Sequence, residues 1–304
     1  MNRHNLRVRI LFAVLAVQLV LGATVATLAA TNSLPFPGKH GSPDPVPARL
    51  KADRFDAGRA WRLLKLQLSF GPRPAGSESS RRLAETLRRK LPHGRFQAVP
   101  GGLRNVIGSV PGKDPHRIVV VGAHYDTKDI PGFLGANDGA SGTAVVLELA
   151  GRLKPREARP TVVFALFDGE ESPAGTPDSQ FEQYGLRGSR VAAARYPHAA
   201  AMILFDFVGD RELRLPRERS SNTRLWGKLR SAARRVGAIG AFPLASEARI
   251  TDDHTPFLSE GVPSIDLIDW DFACFHRTCD NLSAVSPKSL DAVGESVAQL
   301  LRTL

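Results

Sequence analysis

Thr161-Val-Val-Phe-Ala-Leu-Phe167 is an unbroken apolar run, rich in β-branched and aromatic residues, that stops abruptly at Asp168-Gly-Glu-Glu171. A short run with no polar face predicts a strand buried on both sides. The pattern returns at Arg117–His124, Ala199–Phe205 and Val262–Ile268, and each run leads directly or through a short loop to a ligand-type side chain. Arg95–Val99 and Asn105–Val110 read as an antiparallel pair closed off by Pro111-Gly112.

Between these runs the apolar spacing becomes helical. Phe55, Trp61, Leu63, Leu64 and Leu66 predict an amphipathic helix from Ala52 to about Leu68, broken by the turn Gly71-Pro-Arg-Pro-Ala-Gly-Ser77. Ser77 or Ser79 caps a second helix that runs to about Leu91, with Leu83, Leu87 and Leu91 on one stripe. Further helices are predicted over Thr143–Leu153, Thr223–Val236 and Pro287–Leu304, the last with Leu290, Val293, Val297, Leu300 and Leu301 inward. Ser172–Gly185, rich in Pro, Gly and Ser, reads as a loop. Strands that alternate with helices predict a single α/β domain over residues 50–304, its mostly parallel sheet covered on both faces.

The first 49 residues obey other rules. Arg3, Arg7 and Arg9 precede Ile10–Ala30, 21 uncharged and mostly apolar residues. Residues 1–30 thus predict either a cleaved signal peptide or an N-terminal membrane anchor, and either one exports the rest of the chain. Residues 31–49 hold five prolines and two glycines and predict a linker. The expected location is secreted or membrane-anchored, with the domain outside the cytoplasm. In that setting Cys274 and Cys279, the two cysteines of the chain, suggest a disulfide that shapes its short loop more than it stabilises the fold. Net charge is +11. No RNP-like aromatic motif, zinc finger or recognition-helix pattern accompanies it, so the expectation is a basic surface facing anionic cell-envelope material and no nucleic-acid partner.

The candidate chemistry lies where the strands end. His124, Glu171 and Asp206 each follow an apolar strand, Asp138 precedes a helix within Gly135-Ala-Asn-Asp-Gly-Ala-Ser-Gly142, and His276 lies in the loop after the last strand. In a parallel sheet those ends share one edge. Two imidazoles and three carboxylates suit zinc, and an aspartate has two oxygens with which to bridge a metal pair. Asp126, two residues after His124, is placed to accept the other imidazole N–H. Glu170 beside Glu171 suits division of labour, one holding metal and the other moving a proton. Asp252-Asp253-His254 and the acids Asp266, Asp269 and Asp271, with Trp270 and Phe272, are candidates for the cleft. There is no His-Glu-x-x-His helix, Gly-x-Ser-x-Gly elbow or P-loop.

From about Gly71 to Leu304 these pieces, together with Phe205-Asp-Phe-Val-Gly209, Asp252-Asp-His-Thr-Pro-Phe257 and Phe275-His276, resemble the secreted zinc aminopeptidases with a bridging aspartate and their relatives, the glutaminyl cyclases. The resemblance implies a mixed sheet of about eight strands flanked by helices. For the peptidases it implies two zincs, one on His124 and Asp206, one on Glu171 and His276, bridged by Asp138, with Glu170 as general base and peptide or protein N-termini as substrate. A disulfide bracketing the last ligand, as Cys274 and Cys279 do, also occurs in that group. For the cyclases it implies one zinc on Asp138, Glu171 and His276, Glu170 as proton shuttle, and Asp206 and Asp252 in an acidic network. Asp266 stands where cyclases carry a histidine, and Phe275 where they carry a tryptophan. Those two departures, with the Asn137-Asp138-Gly139 loop and the cysteine pair, tilt the expectation toward an aminopeptidase, with cyclisation as the alternative. A non-catalytic ectodomain is a third reading, opposed by the retention of all five ligands and Glu170.

Overall fold

The computed structural model describes Val46 and residues 50–304. Except for Val46, the expected leader and linker lie outside the described residues. Among the described residues no helix is long and apolar enough to cross a membrane.

The chain forms α1 (Ala57–Leu68), α2 (Glu78–Lys90), β1 (Arg95–Val99), β2 (Leu103–Val110), β3 (Asp114–His124), α3 (Ala140–Arg152) and β4 (Pro160–Phe167). Then come α4 (Phe181–Tyr184), α5 (Arg187–Arg195), β5 (Ala201–Asp206), β6 (Arg217–Glu218), α6 (Thr223–Val236), β7 (Ser246–Glu247), α7 (His254–Ser259), β8 (Ser264–Ile268) and α8 (Pro287–Leu301). Six strands make one sheet in the order β1-β2-β4-β3-β5-β8. The four strands β4, β3, β5 and β8 run parallel, while β1 and β2 add an antiparallel edge. Among the described residues the sheet therefore has six strands, and the expectation of about eight is corrected. β6 and β7 hold two residues each and pair only with one another, because the polar stretch after Asp206 offers no apolar run to bury.

Strand periodicity sorts the core into two layers. Val119, Val121 and Ala123 of β3, with Val162, Phe164 and Leu166 of β4, face α1, α2, α3, α6 and α8. Val120, Val163, Ala165, Phe167, Met202 and Leu204 face the other way, with α5 residues Ala192 and Ala193 and Phe257 of α7. Leu83, Leu87 and Leu91 are buried as their stripe predicts. Truncation of any one to alanine would cost about 2–5 kcal/mol. Ser77, not Ser79, caps α2 by accepting from Ser80 N–H.

α3 begins three residues earlier than its apolar spacing predicts, and glycine explains why. Gly139 takes φ +80, and a Cβ there would lie 2.8 Å from Asp126 O. A Cβ on Gly142 would lie 2.3 Å from Phe205 O. The small residues are thus the first turn of a helix pressed against β5 rather than a preceding loop.

Candidate active site

The sheet delivers the candidate groups to one edge. β3 ends on His124, β5 ends on Asp206, and the turn after β4 carries Glu170 and Glu171. Asp138 lies just before α3, and His276 lies in the loop closed by the Cys274–Cys279 disulfide. His276 holds a left-handed backbone, φ +50, with Phe275 stacked on its ring at 3.9 Å between centroids.

Two groups of three donors form around Asp138, His124–Asp138–Asp206 and Asp138–Glu171–His276, the donor atoms of each within 4.8 Å of one another. His124 Nε2 lies 3.3 Å from Asp138 Oδ1 and 3.4 Å from Asp206 Oδ1. His276 Nε2 lies 3.6 Å from Asp138 Oδ2 and 3.3 Å from Glu171 Oε1. Asp138 therefore turns one oxygen to each group. His124 Nε2, Asp138 Oδ2 and Glu171 Oε1 are buried and have no hydrogen-bond partner. Orphaned donors of imidazole and carboxylate type, converging inside the fold, fit a metal and suit zinc.

The electrostatics point the same way. Burial pulls the His124 imidazolium down, but Asp126, Asp138 and Asp206 outweigh it and raise its proton affinity well above the histidine range. Burial, with Asp252 and Asp138, pushes the Asp206 carboxyl up to about 7. Burial raises Glu171 too, yet His276 and Lys128 reverse the shift and hold it below the usual range. Glu170 belongs to neither donor group. Burial and the neighbouring Glu171, Asp252 and Asp253 push its carboxyl well up, against the pull of His124 3.9 Å away. The site thus gathers more negative charge than it can balance, which favours a cation and keeps a proton close to Glu170.

Asp126 meets His124 Nδ1 at 3.7 Å and accepts from the backbone N–H groups of Glu170 and Glu171 at 3.3 and 3.2 Å. One carboxylate so orients the imidazole and the turn that carries both glutamates. Other supports have no counterpart in the sequence reading. The fully buried Arg73 donates to the carbonyls of Tyr125, Leu134 and Gly135 at 2.9, 2.5 and 3.0 Å, clamping the loop before Asp138. Asp280 accepts from Asn137 and Asp138 N–H at 2.7 and 3.0 Å, and Thr143 Oγ1 donates to His124 O at 2.8 Å. Lys128 Nζ lies 3.2 Å from Glu171 Oε2. The one available signal was position, since Asp280 directly follows Cys279 and Lys128 follows the His124–Asp126 segment.

A cavity of about 370 Å³ opens over the donors, lined by Lys128, Glu170, Asp252, Phe207, Trp270 and Phe275 among others. Of the expected cleft residues, Asp252, Trp270 and Phe275 line it. Asp266 does not, and that expectation is corrected. Asp266 pairs with Leu204 across the sheet, so its side chain turns into the layer beneath, 3.6 Å from His254 Nδ1. His254 Nε2 in turn meets Glu218 Oε2 at 3.4 Å and Ser220 Oγ at 3.0 Å. Asp269 accepts from Arg214 N–H at 2.7 Å, and Asp271 pairs with the Arg214 guanidinium at 3.8 Å, both away from the cavity lining.

Comparison with known proteins places this geometry. The chain is 30% identical over 225 residues to a glutaminyl-peptide cyclotransferase of Drosophila melanogaster, covering 62% of this chain and 61% of the relative. The chain thus spans less than two thirds of that relative's length. A glutaminyl cyclase structure from Porphyromonas gingivalis matches with TM-score 0.72 and 29% identity, over 82% of this chain and 99% of that one. A structure described as a leucine aminopeptidase precursor, from Bacteroides thetaiotaomicron, matches with TM-score 0.73 and 26% identity over 84% of this chain and 99% of that one. The model of peptidase family M28 matches residues 105–301, from β2 to the end of α8 and through every donor described above. The chain belongs to peptidase family M28, the zinc exopeptidase-like family that also includes glutaminyl-peptide cyclotransferases.

Proposed function

We propose that the protein is a glutaminyl-peptide cyclotransferase, closing an N-terminal glutamine into pyroglutamate with release of ammonia. The observation that carries this reading is the likeness, at 29% identity, to a solved glutaminyl cyclase that the chain covers almost end to end. It reverses the preference for peptide-bond hydrolysis drawn from sequence. One feature counted against cyclisation also loses weight. Asp266 replaces a histidine, yet the His254 imidazole stands 3.6 Å from it, so the buried network keeps an imidazole–carboxylate pair.

Asp138, Glu171 and His276 would hold zinc, which when bound supplies a Lewis acid for the γ-amide carbonyl of the substrate. Glu170, held on its turn by Asp126, takes a proton from the substrate α-amine as that nitrogen attacks the γ-carbon. The carbon–nitrogen bond of the side-chain amide then breaks, and Glu170 delivers the proton to the departing ammonia. Phe207, Trp270 and Phe275 give the cavity an apolar wall, a surrounding that favours ring closure over hydrolysis once substrate fills it.

Aminopeptidase activity stands as the second reading because the His124–Asp138–Asp206 group would hold another metal. The test incubates the zinc-loaded chain with a Gln-initiated and a Leu-initiated peptide and follows mass. Loss of one ammonia from the first supports cyclisation, and loss of an N-terminal residue from either overturns it in favour of hydrolysis.

A further inference from the structure

α6 lies away from the metal-type donors and carries five cations on one amphipathic helix. Its 14 residues include Arg224, Lys228, Arg230, Arg234 and Arg235 and no acid. Leu225, Trp226, Leu229, Ala233 and Val236 are buried, with Trp226 edge-on to Phe242, so the helix is fixed with its basic face outward. Arg224, Lys228 and Arg235 are exposed and, with Gln299 and Thr303, line a groove of about 380 Å³. No carboxylate lines it, and among the described residues none of these three cations is ion-paired.

That arrangement works against the helix itself. Arg224 stands in the first turn, where the helix dipole disfavours a cation. Arg224 with Lys228, and Arg230 with Arg234, are like-charged pairs four residues apart. Burial and Arg234 pull the Arg230 guanidinium below its usual range. A face that merely faced water would be better served by mixed signs. Gly227 lies in the groove with open space beside it, so a flat partner meets the helix backbone closely.

The position of this face in the chain says what covers it. Lys51 N–H donates to Val236 O at 2.9 Å, so the polypeptide joins the domain at the C-terminal end of α6. Lys51 is exposed and continues the line of cations, which spans ~17 Å from Arg224 to Arg235 alone. The stretch that reaches the domain through this point contains Ile10–Ala30, 21 residues without a charge, preceded by three arginines. We infer that the α6 face is a docking surface for the anionic phospholipid headgroups of a membrane, holding the domain against the bilayer to which its N-terminal segment leads. Each cation at such a surface contributes about fivefold in affinity, lost as salt screens it.

The test uses the full chain reconstituted into vesicles of phosphatidylcholine alone, or with a quarter phosphatidylglycerol, and measures acetylation of Lys228 by mass spectrometry. Lys90, at the end of α2 near the opposite sheet edge, is the reference. Lys228 should be shielded several-fold in anionic vesicles only, and ~0.5 M salt should expose it again. The double variant Arg224→Gln/Arg235→Gln should lose most of the shielding while glutamine-peptide turnover stays unchanged. Equal labelling in neutral and anionic vesicles overturns the proposal, as does undiminished shielding in the double variant. Shielding by soluble polyphosphate but not by anionic vesicles would also overturn it, assigning the face to a soluble polyanion.

Discussion

Glu170→Gln isolates the proton-moving step. Glutamine keeps the volume and the backbone N–H that bonds Asp126, while removing a carboxyl that lines the cavity and belongs to neither donor group. The side chain is buried and stands 3.9 Å from His124 Nδ1, among Glu171, Asp252 and Asp253. Of the other unassigned carboxyls that line the cavity, Asp178 is exposed at its rim and Asp252 is more deeply buried than Glu170, while Asp266 does not reach it. A positioned acid–base group contributes about 10²- to 10⁴-fold, or roughly 3–5 kcal/mol of barrier. We therefore expect kcat to fall by about 10²- to 10⁴-fold with KM changed only a few-fold, since proton transfer is lost and binding is not. Ammonia release from a Gln-initiated peptide gives the rate, and elemental analysis gives bound zinc, which should equal that of the unaltered protein. A variant within about tenfold of full activity would refute the role of Glu170, since that is less than the smallest loss such a group causes. Loss of zinc in the variant would place Glu170 among the ligands instead.

Three further outcomes arise from the surroundings of the site. Asp280→Asn leaves one of the two backbone N–H groups at Asn137 and Asp138 without an acceptor, so zinc affinity should fall about 10- to 100-fold in competition with a chromophoric chelator; unchanged affinity would remove Asp280 from the site. Replacing both Cys274 and Cys279 by serine opens a short loop worth at most about 2 kcal/mol, so calorimetry should show Tm lower by roughly 4–8 °C, and an unchanged Tm would mean the bridge only shapes the loop. Burial and the nearby Glu295, Asp53 and Asp56 raise Asp291 from 3.8 to about 6, so the folded state binds the extra proton and stability declines as pH rises through that window. Asp291→Asn should therefore gain about 1 kcal/mol near neutral pH after screening at this half-exposed position, and nothing below about pH 3.5, as denaturant midpoints would reveal.

Much of the fold is written in runs and spacings. The parallel strands were legible because a strand buried on both faces has no polar alternation to blur it, and the donors were legible because strand ends converge in such a sheet. The features that escaped the sequence reading depend on geometry between distant segments. Arg73 lies in a Pro-Gly turn and acts through three backbone carbonyls some 50 to 60 positions away, so no local pattern announces it. The start of α3 was misread because its small residues resemble a loop, until the approach of Phe205 O shows why they must be small. Asp266 was misplaced for a simpler reason. It lies in the middle of β8 between Ile265 and Leu267, both in the larger core layer, so alternation alone turns it to the opposite face.

Shared donors explain why the two chemistries are hard to separate from residues at the metal-type site, and they direct the question to charge in the cavity. An aminopeptidase receives its substrate through an N-terminal ammonium, which a surplus of carboxylates welcomes. A cyclase needs the same nitrogen neutral, because only the free amine can attack the γ-carbon. Lys128 lines the cavity and stands 3.2 Å from Glu171 Oε2, occupying with a fixed cation a position where an ammonium would otherwise gain. Glu171 and the neighbouring Glu170 raise the proton affinity of that lysine despite its partial burial, so it stays charged. A permanent positive charge there lowers the proton affinity of any amine bound nearby. Glu170, whose own proton affinity burial raises, is then a base strong enough to take the proton the amine gives up. The pairing of Glu170 with Glu171 serves hydrolysis and cyclisation alike, and under the proposed cyclisation the lysine beside them offsets part of the negative charge that would otherwise hold the substrate nitrogen as an ammonium.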